Sequence, residues 1–234
     1  MTNTVQVQSL LSARRSYEFA VDDVKLTLLC LTSVLDAIRS KFQFAGTEIA
    51  SPPSHFGMVL PSNPPGVVLS FGITPFPEGS GTVVRNILID SRRVVIDVAG
   101  PSEVLDPTFD LLKETVSGLL SAEGASPLGE VQRTMDYSEI VIKDPRILQV
   151  LFSPAALEIL RQTDTSNPAD VIIPSARFRI ARTGAEYPGT IEDHLNIHFD
   201  YRAGSKIEDE LIFCGAPMDS GQLVSLVERL LLTL

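Results

Sequence analysis

The chain has 234 residues, of which 44% are hydrophobic and 21% charged, and its formal net charge at pH 7 is −10. This balance supports a packed core and excludes global disorder, which requires low hydrophobicity together with high net charge. A nucleic-acid-binding surface needs clustered basic residues, and the adjacent arginine pairs are limited to Arg14-Arg15 and Arg92-Arg93. The chain is therefore expected to bind proteins or itself and not nucleic acid.

The two cysteines and the N-terminal sequence predict a cytoplasmic protein. Cys30 and Cys214 lie in apolar stretches, where a free thiol behaves as a small hydrophobic side chain. Two cysteines so far apart do not make the disulfide framework of a secreted domain. The first residues lack the basic segment and the apolar run of a signal peptide. The longest apolar tract, Leu26–Ile38, is too short to cross a bilayer, so no membrane association is expected.

The first elements along the chain are a short alternating stretch and a long apolar helix. Residues 1–12 carry little pattern, which predicts a loose arm or a marginal edge strand, whereas residues 17–21 alternate. Apolar residues recur at helical spacing on most sides of the stretch from 24 to about 42, which is typical of a buried helix. Asp22 or Asp23 is expected to cap its first turn, because a carboxylate accepts free backbone N–H groups.

Three strands and a helix follow a proline-rich stretch. Five prolines between residues 51 and 66 argue against a helix or a central strand there and predict an ordered loop. Runs rich in Val and Ile, joined by short turns, predict antiparallel strands at Val67–Thr74, Thr82–Asp90 and Val94–Val98. Asp106 followed by Pro107 predicts a helix with Asp106 as its N-cap.

The second half of the chain predicts the same order of elements, displaced by roughly 105–120 residues. A strand is expected at Tyr137–Ile142, followed by two short helices within residues 145–162. Three further strands are expected at Val171–Ala181, Ile191–Tyr201 and Lys206–Cys214. The last helix, Gln222–Leu234, has an apolar arc wider than one sheet face covers, so its surplus predicts contact with the other lobe or another subunit.

This recurrence predicts an α+β fold of antiparallel sheets with helices on one face. Two similar lobes of order β-α-β-β-β-α are expected at residues 1–122 and 130–234, separated by a small, flexible stretch. Residue identity between the lobes is poor, so the pattern indicates a possible duplication and assigns no function by itself.

Two histidines lie four residues apart in the sequence His194-Leu-Asn-Ile-His198, which on a helix would allow both to bind one zinc ion. Leu195, Ile197 and Phe199 alternate with the polar residues, which is typical of a strand with one apolar face. On a strand the two side chains would lie about 13 Å apart. No metal site is therefore expected.

The same alternation predicts a polar sheet face that could bind a ligand or transfer protons. If the last three strands pair as a meander, one face carries Arg177, Arg179, His194, Asn196, His198, Glu208 and Glu210. Histidine titrates near neutral pH, which suits general acid–base chemistry. The alternative is a solvated face in which opposite charges pair across strands.

Sequence motifs of common enzyme classes are not found: the chain has no phosphate loop, no dinucleotide-binding glycine pattern and no nucleophile elbow. The leading hypothesis is therefore a non-enzymatic protein-binding or assembly component that forms a homo-oligomer, without a cofactor. One alternative is an enzyme or small-molecule binder that uses the His/Arg/Glu face of the C-terminal lobe. Another is a chaperone-like binder of unfolded chains, which would expose an apolar groove along the sheet.

Overall fold

The computed structural model describes residues 7–50, 66–120, 127–144, 147, 175–181, 194–201 and 209–232. The strands in these ranges are β1 (Val7–Phe19), β2 (Gly46–Ala50), β3 (Gly66–Thr74), β4 (Thr82–Ile89), β5 (Arg93–Val98), β6 (Val131–Lys143), β7 (Ser175–Ala181), β8 (His194–Tyr201) and β9 (Leu211–Ala216). They form one antiparallel sheet in the order β2-β3-β4-β5-β1-β6-β9-β8-β7.

Helices accompany the sheet in the described part of the chain. They are α1 (Leu26–Leu29), α2 (Thr32–Phe42), α3 (Leu105–Leu120) and α4 (Ser220–Leu231). A 3-10 turn at Ser102–Val104 leads directly into α3. None of the described helices is long and apolar enough to cross a membrane. The mixture of helices with an antiparallel sheet agrees with the predicted fold class.

The chain divides into two compact units by its internal contacts. One unit is Ser12–Asp136, called here the N-terminal unit. The other combines Tyr137–Leu234 with Met1–Leu11 and is called the C-terminal unit. Strands β1 and β6 each contribute residues to both units.

The core of the N-terminal unit forms where helices and strands present apolar side chains to each other. Helix α2 contributes Val34, Ile38 and Phe42, and α3 contributes Leu112 and Val116 among others. The strand residues that join this cluster alternate in sequence, as the strand period of two requires, and include Ala13, Tyr17, Val67, Leu69, Ile87, Val94 and Ile96. Burying each large apolar side chain contributes about 1.5–3 kcal/mol, so this cluster dominates the stability of the unit.

Partway along β3 and β4, the residues that face the core switch between odd-numbered and even-numbered positions. In β3, burial alternates up to Leu69 and resumes at Gly72, and the register of β4 shifts at the same level, between Val84 and Asn86. Phe71 lies at this change with a φ of 58°, a left-handed conformation that is rare for an aromatic residue. Its side chain therefore points away from the core.

Gly72 allows Phe44 to pack directly on β3. A Cβ atom at position 72 would lie 2.6 Å from two carbons of the Phe44 ring and 2.8 Å from the carbonyl oxygen of Phe42. The Phe44 ring is itself buried and contacts the Phe42 ring at a centroid distance of 5.6 Å. Glycine at position 72 is thus a packing requirement of the turn that follows α2.

The C-terminal unit packs α4 on one face of its strands. Leu223 and Val227 of α4 are buried. The strand residues in the same cluster are Ile140, Ile142, Ala176, Ile197, Phe199, Ile212, Cys214 and Ala216. Asp219 caps the helix, since its Oδ1 accepts a hydrogen bond of 2.8 Å from the backbone N–H of Gln222.

The wide apolar arc of α4 already has contacts within its own unit. Val224, Leu226, Leu230 and Leu231 are partly buried against the same core cluster. Leu232, just after the helix, is 74% exposed, and Leu234 lies outside the described residues. Most of the apolar arc of α4 is therefore covered within its own unit. It supports a contact with another subunit less than the sequence alone indicated.

Strand β1 differs from the expected loose arm or edge strand. It begins at Val7 and lies between β5 and β6, so it is a central strand. Its polar residues conceal the alternation in the sequence: Ser12 and Ser16 are buried. Arg14 instead pairs across the strands with the buried Asp97, with 2.7 Å between Nη2 and Oδ2.

Two further expectations for the first half were wrong in detail. The single helix over 24–42 is broken into α1 and α2, because Leu31 between them has an extended backbone with ψ of 133°. Neither Asp22 nor Asp23 caps α1 or α2; the N-cap residues are Lys25 and Leu31, and neither makes a side-chain cap hydrogen bond. Strand β2 was not predicted, so the first half contains one strand more than the expected order.

The helix predicted at Asp106-Pro107 exists, but Asp106 does not cap it. Helix α3 begins at Leu105, which places Asp106 in its first turn. The Asp106 side chain accepts hydrogen bonds from Arg15 and Tyr17 instead. The three predicted strands before it are confirmed by β3, β4 and β5. The predictions for the proline-rich loop, for residues 121–126 and for most of residues 145–162 fall outside the described residues.

Candidate functional site

Strands β7 and β8 bring predicted polar residues together on one side of the sheet. Their register pairs Arg177 with His198 and Arg179 with Asn196. Directly paired residues of antiparallel strands point to the same face, so these four positions share a face, as the alternation predicted. Arg177 and Asn196 are exposed and His198 is half-buried. We call Arg177, Asn196 and His198 the donor cluster.

The imidazole of His198 lies between two aromatic rings. The Phe213 ring is 5.2 Å from it between centroids, at an interplanar angle of 30°. The Tyr137 ring is 6.3 Å away at 22°, and the Tyr137 Oη lies 3.5 Å from His198 Nε2, a long polar contact. These contacts hold the ring in place without enclosing it.

Gly215 of β9 provides the space that His198 and Tyr137 occupy. The register pairs Gly215 with His198 on one side and with Glu139 on the other. A Cβ atom at position 215 would lie 2.5 Å from His198 Cε1, 2.7 Å from His198 Nε2 and 2.7 Å from Tyr137 Oη. Any larger residue would therefore displace the imidazole.

A surface depression of about 380 Å³ opens beside the donor cluster. The described residues that line it are Arg177, Phe178, Asn196, Ile197 and His198. None of these carries a carboxylate, and its size lies at the lower end of the range typical of small-molecule sites. The depression thus offers a guanidinium, an amide and an imidazole together with apolar surface.

The other predicted site residues are placed less directly. His194 opens β8 opposite Ala181, and its side chain, like that of Arg179, lies outside what the structure describes. His194 and His198 both lie on β8, which confirms the prediction that the two histidines belong to a strand and not to a helix. Glu208 falls outside the described residues. Glu210 occupies an exposed turn with φ of 55°, before β9 begins, so strand alternation does not bring it to the polar face.

The thiol of Cys214 lies on the other face of β9, in the core cluster. Burial raises its pKa, and the charge of Asp200 adds to this shift, so the thiol stays protonated and unreactive at neutral pH. Within the described ranges, no group of three or more His, Cys, Asp or Glu side chains could hold a metal ion.

The N-terminal unit carries a different surface feature, an exposed apolar patch formed by Phe71, Ile73 and Val83. Phe71 is 70% exposed, Ile73 47% and Val83 48%. Ile73 and Val83 are direct cross-strand partners, and Phe71 flanks Ile73 on β3. All three point away from the helices, because the intervening Gly72 faces the core.

A half-buried arginine, Arg15, joins two carboxylates in the same unit. Arg15 bonds Asp136 through Nε (2.6 Å) and Nη2 (3.1 Å), and Asp106 through Nη1 (2.6 Å). Tyr17 donates its hydroxyl to Asp106 at 3.0 Å and stacks on Phe109 at a centroid distance of 3.9 Å. Every charge here has an opposite partner, so we interpret this group, called the Arg15 cluster, as structural.

The Arg15 cluster shifts the pKa values of its members. For Arg15, the hydrogen bonds that it donates to Asp136 outweigh burial and, with the one to Asp106, raise its pKa. Burial raises the pKa of Tyr17, and the negative charge of Asp106 adds to it. For Asp106, burial alone would raise the pKa, but the hydrogen bonds from Arg15 and Tyr17 and the charge of Arg15 lower it overall.

The sequence matches no protein-family model and no curated protein.

Sequence reasoning missed the three residues that position His198. The sequence indicates Tyr137 only as the start of a strand and Phe213 only as an apolar neighbour of Cys214, and its strand patterns assign no role to Gly215. An isolated glycine inside an apolar strand is a recognised sign of close approach by another group. That signal identifies Gly215. Its neighbours Tyr137 on β6 and His198 on β8 follow only from the register of the three strands.

Proposed function

We propose that this protein is a non-enzymatic component that acts by binding protein chains and that it forms a homo-oligomer. The observation that carries the proposal is the apolar patch of Phe71, Ile73 and Val83. Single exposed apolar side chains are ordinary, but adjacent ones on a regular sheet face are typical of an interaction surface.

The backbone of Phe71 supports a functional origin for the patch. A left-handed conformation costs a non-glycine residue roughly 1–2 kcal/mol, and such positions concentrate at functional sites. Phe71, the strained residue, is also the one whose side chain is most exposed among the three. Stability alone would favour glycine or asparagine at this position.

A second copy of the chain is the partner that we propose for the patch. In a twofold dimer the same patch on each subunit would cover the other, which removes both Phe71 rings from water. The net charge of −10 opposes this association by repulsion between copies. Salt screens that repulsion, so self-association is expected to strengthen between low and physiological ionic strength.

Sedimentation velocity over a range of protein concentrations tests this proposal. The wild-type chain of 25.4 kDa should sediment as a dimer or larger species at high concentration. Val83→Thr, inside the patch, should weaken association, whereas Val21→Thr should not, because Val21 is exposed (61%) but lies outside the patch. A wild-type protein that stays monomeric throughout, or equal effects of both variants, would contradict self-association through the patch.

The same pair of variants addresses the chaperone-like alternative. A binder of unfolded chains would suppress the aggregation of a chemically denatured test protein, measured by light scattering. If the wild type does so and Val83→Thr loses this activity while Val21→Thr keeps it, the patch serves unfolded chains and not a second copy.

The proposal includes two lobes, 1–122 and 130–234, that arose by internal duplication. The described strand order supports it: the first half reads β1-β5-β4-β3-β2 and the second reads β6-β9-β8-β7, so each opening strand neighbours the last strand of its half, and β2 is an additional edge strand in the first half. An experimental structure in which residues 15–120 and 135–234 do not superpose would contradict it.

We further propose a cytoplasmic location without nucleic-acid partners. Cys30 and Cys214 are both free thiols, which supports a reducing compartment. Fractionation of the native host with detection of the protein would test the location.

A further inference from the structure

We propose that the depression beside Arg177, Asn196 and His198 binds a small organic oxyanion, a carboxylate or a phosphate monoester. This site shares no residue with the apolar patch of the N-terminal unit. It can therefore exist whether or not the protein self-associates, and the two proposals can fail separately.

Two donors of the cluster have no side-chain partner among the described residues. Neither Arg177 nor Asn196 makes a side-chain hydrogen bond or an ion pair with any residue that the structure describes. A guanidinium offers five N–H donors in a planar fork that matches the two oxygens of a carboxylate or phosphate. An exposed arginine on a sheet of an acidic protein would ordinarily pair with a neighbouring carboxylate, and here the described lining supplies none.

The imidazole of His198 is placed as a second donor toward the same volume. Phe213 and Tyr137 fix its plane, and Gly215 leaves the room that this orientation needs. The register sets Arg177 directly opposite His198, so their side chains leave the sheet side by side. A guanidinium and an imidazole on paired residues of adjacent strands can hold one anionic group between them.

The size of the depression indicates an organic anion. Phe178 and Ile197 also line it, although strand alternation directs their side chains to the core face, where Ile197 is a member of the core cluster and Phe178 packs against it. Small-molecule sites bring a few polar groups together at a cavity of this size. A volume of about 380 Å³ accommodates a molecule of several heavy atoms beyond the anionic group itself.

The carboxylates on the same side of the sheet limit the charge of the ligand. Asp200 lies two residues after His198 on β8, and Glu139 pairs with Gly215 on β6. Neither lines the depression. They favour a ligand with one compact anionic group near Arg177 over an extended polyanion, which they would repel.

Titration of the ¹⁵N-labelled full chain with two separate probes, inorganic phosphate and succinate, tests this site. We expect saturable shifts of the Arg177, Asn196 and His198 resonances with at least one probe. Response to phosphate alone identifies a phosphate ligand, response to succinate alone identifies a carboxylate ligand, and response to both supports their shared chemistry. Saturable binding of neither probe overturns the proposal.

Variants separate this site from general charge attraction. Arg177→Gln should weaken binding at least tenfold, whereas Arg229→Gln, which makes the same charge change at an exposed position of α4, should change it less than twofold. Equal weakening in both overturns the proposal. If Arg177→Gln does not fold, Asn196→Ala replaces it, and unchanged affinity in Asn196→Ala counts against the site.

Discussion

Arg15 holds Asp136 through a two-pronged ion pair, with Nε–Oδ1 and Nη2–Oδ2 distances of 2.6 and 3.1 Å. The two residues are 121 positions apart in the sequence, and the pair connects β1 with β6 inside the N-terminal unit. Arg15 is 15% exposed and Asp136 24%, so solvent screens the pair only in part. A bidentate, partly buried ion pair of this kind contributes measurably to the free energy of unfolding.

Asp136→Asn should therefore lower the free energy of unfolding by about 2 kcal/mol, between the values typical of exposed and of buried pairs. Urea denaturation followed by circular dichroism measures it. Asp36→Asn is the matched control, because Asp36 forms an exposed pair with Arg39 at 3.9 Å. That change should cost less than about 0.5 kcal/mol. Equal losses in both variants would refute a special role for Asp136.

Asp106 should make stability depend on acidic pH. Its pKa in the folded protein is lowered from the ordinary value of 3.8, because the bonds from Arg15 and Tyr17 and the charge of Arg15 outweigh burial. A lowered folded-state pKa contributes stability that is present above 3.8 and is lost as pH falls through the folded-state value. The free energy of unfolding should thus decline less between pH 5 and pH 3 in Asp106→Asn than in the wild type.

Asp110→Asn is the control for that comparison. Asp110 lies one turn further along α3 and is exposed, and no described residue accepts or donates a hydrogen bond with its side chain. Its variant should keep the wild-type decline between pH 5 and pH 3. An Asp106→Asn protein with an unaltered pH profile would show that Arg15 does not act through this carboxylate.

The same cluster explains why one helix start was only half predictable. Asp106-Pro107 has the local pattern of a helix start, and α3 does begin there. The role of Asp106 depended on Arg15 and Tyr17, which reach it from a distant strand. Local patterns predict where an element lies, whereas the partner of a charged side chain is set by tertiary packing.

The strands show the same division between local and long-range information. The Val- and Ile-rich runs of β3, β4 and β5 follow from local alternation alone. Strand β1 was underestimated because Ser12, Arg14 and Ser16 interrupt its pattern, although Arg14 is satisfied by Asp97 on β5. In the candidate site, the pairing of Arg177 with His198 followed from parity, but the role of Gly215 required the register of β8 and β9.

Phe71→Asn should separate stability from association. Asparagine tolerates a positive φ better than phenylalanine, so the free energy of unfolding should rise by about 1 kcal/mol. Loss of the exposed ring should weaken self-association, measured by sedimentation. Phe71→Ala removes the same ring but keeps the strained backbone, so it should lose association without the gain in stability. An Asn variant that is less stable than the Ala variant would show that φ at this position is not the cause.

Gly215→Ala should displace His198. The new methyl group would lie 2.5 Å from His198 Cε1 and 2.7 Å from Tyr137 Oη, closer than packed atoms allow. The imidazole is a side chain that can rotate away, so we expect a cost of about 1–3 kcal/mol, typical of overpacking, and not complete unfolding. The ¹³Cε1–¹Hε1 resonance of His198 should shift, because the ring moves off Phe213. Gly118→Ala is the control: apart from its chain neighbours and the backbone of its own helix, no described atom lies within 4 Å of that Cβ position, so the helix should gain up to about 1 kcal/mol.

A double variant decides whether the loss in Gly215→Ala comes from the imidazole. In a His198→Ala background the imidazole contacts at 2.5 and 2.7 Å are gone, and the contact with the Tyr137 hydroxyl remains. Gly215→Ala should then cost clearly less than it does in the wild type, and the difference between the two costs is the coupling between positions 198 and 215. Equal costs in both backgrounds would show that Tyr137 or the strand itself requires the glycine. In that case the fixed orientation of His198, on which the oxyanion site depends, would lose its structural basis.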